Sequence, residues 1–193
     1  RDGLSSLPTE NRYGDFPGVS AGWTISKENF MLGLSEYISD LKVRASYAKV
    51  GNTDIGNYPY LGLFSNLKYA DYNGIAFSQI GNDELRWETS KKTDYGVDLA
   101  MFNNKLKFTF DYFQNDIDDI ILGAPLSPDF GVPGNLIYKN IGAMTNKGYE
   151  FSGDYSVINT EKFGLDLNAN VTFLKNEVLA LSNNNADIIT TAD

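Results

Sequence analysis

The chain of 193 residues has no cysteine, no histidine and a formal net charge of −9. That removes disulfides, thiol chemistry, the commonest metal ligand and the commonest general base, and it argues against a nucleic-acid partner, which needs a basic stripe. Twelve Tyr and twelve Phe stand among scarce helix-forming runs, so the chain reads as all-β. No apolar run is long enough for a membrane-crossing helix, but a barrel strand needs only about 9–11 residues with a weaker, alternating signal.

Residues 1–18 are polar and turn-rich, a loop by composition. No signal or targeting segment is recognisable, and the opening on Arg1 rather than Met suggests a piece of something longer. Val19, Ala21, Trp23 and Ile25 alternate with Ser20, Gly22 and Thr24 as a first strand. From Lys27 to Asp40 the period changes: Phe30, Leu34, Tyr37/Ile38 and Leu41 recur at helical spacing, which predicts a short helical connection. A second strand sets Leu41, Val43, Ala45 and Tyr47 against Lys42, Arg44, Ser46 and Ala48. Gly51 to Arg86 dissolves into Gly, Asn, Asp and Tyr, a long loop with a short hairpin around Tyr58–Phe64 and Ile75–Ile80.

The stretch Thr93–Phe113 is the clearest unit. Two alternating runs meet at Asn103-Asn104, and Asn tolerates the positive φ of a two-residue hairpin turn. Placing Phe102 opposite Lys105 pairs Met101 with Leu106, Leu99 with Phe108, Val97 with Phe110 and Tyr95 with Tyr112 on one face. The other face carries Ala100 with Lys107, Asp98 with Thr109 and Gly96 with Asp111. A slip of one residue would mix the sets, so the register is well specified. The second strand of this hairpin is expected to end near Asn115, and Ile120–Asn146, with Pro125, Pro128 and Pro133, to be irregular.

A second hairpin is expected over Lys147–Asn176. Val157 opposite Leu165 aligns Tyr155 with Leu167, Gly153 with Ala169, Phe151 with Val171 and Tyr149 with Phe173, with polar residues between them. The tail from Ser182 reads as loop. Connections after the first, third and fifth strands are compact, and those after the second and fourth are long. This asymmetry marks outer-membrane barrels, and a run such as Tyr149–Val157 climbs roughly 23 Å when tilted, close to their apolar band. A soluble β-sandwich alternates in the same way, so periodicity leaves both architectures open.

Four segments resemble the β-barrel of SusC/RagA-like TonB-dependent outer-membrane transporters: FPGVSAGWTISKENFM (Phe16–Met31), ISDLKVRASYAKVGNTDIGNYPY (Ile38–Tyr60), LRWETSKKTDYGVDLAMFNNKLKFTFDYF (Leu85–Phe113) and NIGAMTNKGYEF (Asn140–Phe151). They occur in the family's order and cover nearly the whole chain. The opening loop departs from the family's usual DGSSRF. The resemblance implies an all-β antiparallel meander of about six strands in three hairpins, an open segment of a barrel of about 22 strands with a plugged lumen. Residues 1–193 are then a partial barrel domain without the plug or the TonB-contacting segment. It further implies an outer-membrane importer of oligosaccharides or peptides, energised through TonB, bounded by outer-membrane lipid and capped by a SusD-like surface lipoprotein. A soluble sugar-binding sandwich and a passive pore or adhesin are the competing readings.

No catalytic residue, cofactor or metal is expected. Asp111, Asp116, Asp118 and Asp119 form the densest carboxylate cluster, but the spacing lacks the Gly and terminal Glu of a calcium loop. Tyr58, Tyr60, Tyr69 and Tyr72 of the long loop offer aromatic faces for sugar rings, or mark strands leaving lipid. Trp23, Trp87, Phe102 and Phe163 near strand ends suggest an interfacial girdle first and ordinary packing second. Asp98 and Asp111, with Lys107 nearby, read as a wet lumen wall together with Lys42, Arg44, Asp154 and Asp166, while Leu99, Phe108 and Val171 face lipid.

Overall fold

The computed structural model describes residues 1–52 and 56–181. A two-residue bridge joins β1 (Asp2–Gly3) to β2 (Tyr13–Gly14) within the opening loop. Then follow β3 (Gly18–Thr24), β4 (Ile38–Asn52), the small hairpin β5 (Leu63–Tyr69) and β6 (Tyr72–Gln79), β7 (Glu88–Met101), β8 (Leu106–Pro125), β9 (Leu136–Asn159) and β10 (Gly164–Ala180). Six of these form one antiparallel sheet in the order β10-β9-β8-β7-β4-β3, so β3 and β10 are open edges. The expected all-β, open meander of six strands is what forms. The expected loop from Ser182 lies outside the described residues.

The β7–β8 hairpin has the register set by its turn. Met101 pairs with Leu106, Leu99 with Phe108, Val97 with Phe110 and Tyr95 with Tyr112. Asn103 and Asn104 take φ of 55° and 64°, as the two-residue turn requires, and Phe102 joins them at 53°. A bulky residue at positive φ is an outlier. The Phe102 amide donates to the Tyr37 carbonyl at 2.9 Å, tying the turn to the end of the previous connection.

Laterally, the register makes whole rows of one kind. Trp23, Val43, Val97, Phe110, Phe151 and Val171 stand side by side across all six strands. The next row toward the long loops is Ala21, Ala45, Tyr95, Tyr112, Tyr149 and Phe173. On the opposite face, Thr24, Lys42, Asp98, Thr109, Ser152 and Asn170 form one row. Among the described residues no sheet packs over the apolar rows: Val171 is 47% exposed and Phe173 60%.

Several expectations are refined or corrected. The short helical connection expected within 27–40 forms, as two 3-10 segments, Ile25–Lys27 and Asn29–Leu34, before the sheet resumes at Ile38. Its apolar residues Phe30, Leu32 and Leu34 are exposed, so no packing sustains a longer helix. The loop hairpin pairs Leu63–Tyr69 with Tyr72–Gln79, later than Tyr58–Phe64, because Tyr58 and Gly56 take positive φ. β8 continues to Pro125 and β9 starts at Leu136, so the irregular stretch shrinks to 126–135. The register shifts between Ile117 and Ile121, with Asp119 at φ 59°, and this bulge breaks the alternation that would have announced the longer strand. A second bulge makes Leu165 pair with Ile158 rather than Val157; from Tyr155–Leu167 inward the expected register holds.

The fully buried side chains are not in the sheet but in the loops. Leu7 and Leu85 are wholly buried with Ile121, and Tyr60, Trp87 and Tyr138 pack around them. This cluster sits at the end carrying the opening loop, the long β4–β7 connection and the β8–β9 extension. Leu85→Ala is expected to cost about 2–5 kcal/mol locally. Hydrogen exchange on the parent protein should show residues 4–14 and 80–87 losing protection while β7 near Val97 keeps it.

Candidate functional site

Two places concentrate polar side chains. The first is the centre of the polar face. Arg44 on β4 donates from Nε to Asp98 Oδ2 at 2.7 Å and from Nη2 to Asp98 Oδ1 at 3.1 Å and Asp111 Oδ1 at 2.9 Å. Its direct neighbour on β7 is Gly96, whose own partner on β8 is Asp111. A Cβ at Gly96 would collide with the Arg44 guanidinium and the Asp111 carboxylate. Glycine therefore leaves the gap through which one side chain spans three strands. Thr109 adds a hydroxyl to Asp98 at 3.3 Å. Asp98 and Asp111 are thus joined by Arg44, whose planar guanidinium fork meets both carboxylates at once.

The second place is the loop end. Asn140 Nδ2 donates to the carbonyls of Arg86 and Asp119, each at 2.8 Å, and its Oδ1 accepts from the Arg86 amide at 3.0 Å. Arg86 Nη2 reaches Asp119 at 2.6 Å. Glu88 accepts from the Ile121 amide at 2.8 Å and from Asn52 Nδ2 at 2.7 Å. Asn82 Nδ2 donates to the Tyr138 carbonyl at 2.7 Å and Asn11 Nδ2 to that of Leu85 at 3.0 Å. These bonds hold the opening loop and both long connections as one assembly above the Leu7–Leu85 cluster.

The expected site residues fall as follows. The four carboxylates are separated: Asp111 goes to Arg44, Asp118 to Lys91 at 2.8 Å and Asp119 to Arg86, while Asp116 accepts from Thr145 Oγ1 at 2.6 Å and Gln114 Nε2 at 2.7 Å. Among the described residues no group of three or more acidic side chains is placed to hold a metal. Tyr60 is half-buried in the loop cluster, with Tyr58 edge-on to it at 6.4 Å. Tyr72 is exposed, opposite Tyr69 beside the β5–β6 turn. Gly81 lies so close to the backbone of residues 60–62 that a Cβ would collide there, which pins the loop hairpin's base.

Trp23, Phe102 and Phe163 are exposed at the short-turn end, and Trp23 is edge-on to Phe30 at 6.5 Å with its indole N–H on Glu28. Trp87 is corrected: it lies at the other end, edge-on to Phe16 at 5.1 Å, its N–H donating to the Arg12 carbonyl at 3.2 Å. It packs the loop cluster instead of joining a girdle. The aromatic row at that end is Tyr95, Tyr112, Tyr149 and Phe173, with Tyr95 stacked on Tyr112 at 6.4 Å and Tyr112 against Tyr149 at 5.2 Å. Sequence reasoning aligned Tyr95 with Tyr112 and Tyr149 with Phe173, but joining the pairs needs the β8–β9 register, which no tight turn announces.

Residues 4–192 match the family model described as TonB dependent receptor-like, beta-barrel. The chain belongs to that family. It is 38% identical over 186 residues to TonB-dependent receptor P3 of Formosa agariphila, covering 94% of this chain and 18% of the relative. TonB-dependent receptor SusC of Bacteroides thetaiotaomicron is 31% identical over 191 residues, covering 94% of this chain and 19% of its own length. The structure of the RagAB peptide importer in the 'closed-closed' state superposes with a TM-score of 0.83 at 27% identity, covering 92% of this chain and 19% of that one. The chain is therefore a β-barrel segment of a SusC/RagA-like TonB-dependent receptor, and it spans about a fifth of the length of these relatives.

The three-strand bridge on the polar face of this receptor segment can be tested by a double-mutant cycle. Arg44→Ala and Asp111→Asn, singly and together in the parent protein, should show a coupling of roughly 0.5–1 kcal/mol, because the site is partly solvated. Urea unfolding in lipid vesicles measures it, and Gly96→Val should erase most of that coupling. Additive effects would show that the Arg44–Asp111 arm stabilises nothing.

Proposed function

We propose that this chain forms about six strands of the wall of an outer-membrane importer, its apolar face on lipid and its polar face toward the lumen. The remaining strands would continue from the open edges of β3 and β10, and the plug and the TonB-contacting segment would come from other parts of the protein. The observation that carries this reading is the uniformly apolar, uncovered rows through Val97, Phe110 and Phe151, backed by a polar face that includes Lys42, Lys107, Asp154 and Asp166. In water such a face would be an aggregation surface; against hydrocarbon it needs no cover. A soluble sandwich would need a second sheet over these rows, and none lies there among the described residues.

The short turns at Phe102–Lys105 and Thr160–Phe163 would face the periplasm and the hydrogen-bonded loop end the outside. Exposed aromatics at the turns and the Tyr95–Tyr149 row would then mark the two interfaces. The cargo is taken to be an oligosaccharide or a peptide, in keeping with relatives named SusC and a peptide importer. Import would be energised through TonB, with a SusD-like surface lipoprotein over the loop end. The chemistry is transport and not catalysis, and the loop tyrosines Tyr58 and Tyr72 are the exposed candidates for cargo contact.

The face assignment has a directional test in the parent protein. Leu99→Arg and Val171→Arg should each cost roughly 2–4 kcal/mol of folding stability in bilayers if near the midplane, whereas Asp98→Ala should be mild. Equal tolerance on both faces would refute the assignment.

A further inference from the structure

Toward the loop end the two faces of the sheet exchange chemistry. The outward face becomes charged, with Lys147 opposite Lys175 and Lys49 opposite Lys91. The inward face, polar at the height of Arg44, becomes apolar over β8, β9 and β10. Phe113, Gly148 and Leu174 form one row there, and Ile117, Met144 and Val178 another, with Asn115, Asn146 and Asn176 between them. Leu174 and Val178 are each 59% exposed. A Cβ at Gly148 would collide with the Phe113 ring, so that ring lies across the glycine. Lipid cannot be what covers this patch, because it stands on the face opposite to Val97 and Phe110.

The charge bordering the patch has one sign. On its side toward the short turns lies the row of Asp111, Glu150 and Thr172, which sets two carboxylates directly opposite each other. Arg44 is engaged by Asp98 and Asp111, and Glu150 makes no salt bridge among the described residues. Lys92 continues the amide row onto β7, two strands from Glu150. Within the amide row Asn115 accepts from the Ser90 hydroxyl, whereas Asn146 Oδ1 is buried without a hydrogen-bond partner.

We propose that this patch is a cargo subsite for an extended peptide whose apolar side chains lie beside a cationic group. The two apolar rows stand about 13 Å apart along the strands, a width that an extended chain with side chains to alternate sides fills. The wall's own backbone is occupied by its ladders, so side-chain amides, which both donate and accept, must meet the peptide groups. Glu150 would take the cation. An oligosaccharide fits less well, because hydroxyls set over Ile117, Met144 and Val178 lose water and gain no partner. This inference deepens the proposed importer reading, on whose inward orientation it rests.

The test uses the full-length receptor in detergent and isothermal titration with three probes. They are an alternating leucine–serine hexapeptide with a free N-terminus, the same peptide N-acetylated, and a linear glucose hexasaccharide. The free peptide should bind on the order of tenfold more tightly than either of the others. Leu174→Asn with Val178→Asn should weaken it by a similar factor, and Glu150→Gln should remove the difference between free and acetylated peptide. Asn168→Ala, on the same face nearer the short turns, should change neither, and melting temperatures check that each variant is folded. Failure of the wild type to bind the free peptide, equal binding of the hexasaccharide, or unchanged peptide affinity in the Asn pair would overturn the proposal. If it fails while Leu99→Arg still disrupts folding in bilayers, only the cargo subsite is lost. If Leu99→Arg is tolerated as well, the orientation falls with it.

Discussion

The structure depends on strict parity. Between the bulges every second side chain along six adjacent strands is turned to the same side, and the strand-to-strand register keeps the central lateral rows of one chemical kind. A sheet built this way has an apolar surface that it does not itself bury. The row from Trp23 to Val171 is continuous over six strands, and Val171 and Phe173 keep about half of their surface uncovered. A β-sheet ordinarily solves this with a second layer. In the proposed orientation the hydrocarbon of a bilayer takes the place of that layer.

The same constraint explains where the protein's own core lies. Long connections beyond the sheet must bury something to become ordered. Leu7, Leu85 and Ile121 do this with Tyr60, Trp87 and Tyr138, and the side-chain amides of Asn11, Asn82 and Asn140 satisfy carbonyls that no ladder reaches. The wet face needs a different device. Arg44 crosses Gly96 to reach carboxylates on two further strands, so these three charges are paired within the sheet.

Much of this was legible in the residues, for local reasons. Asn103-Asn104 fixed one register, because a tight turn leaves little freedom in pairing, and matching apolar faces gave the second hairpin's register inward of its bulge. The alternating long and short connections gave the two ends of the sheet. The illegible parts depended on distant contacts. The bulge around Asp118 and Asp119 concealed ten more residues of β8, and the β8–β9 register that assembles the tyrosine row crosses a ten-residue gap. Trp87 looked like a strand-end aromatic, and only the position of Phe16 and Arg12 shows that it is loop core. Arg44 was visible as a charge on the wet face; that it reaches Asp111 required knowing that Gly96 leaves the space open.

The measurement that bears most directly on this account is a nitroxide scan along β8, from Phe108 to Tyr112, in the full-length receptor in bilayers. Accessibility to oxygen should peak at Phe108, Phe110 and Tyr112, and accessibility to a water-soluble relaxant at Thr109 and Asp111, with a period of two. Reversed parity, or apolar positions closed to both reagents, would contradict it.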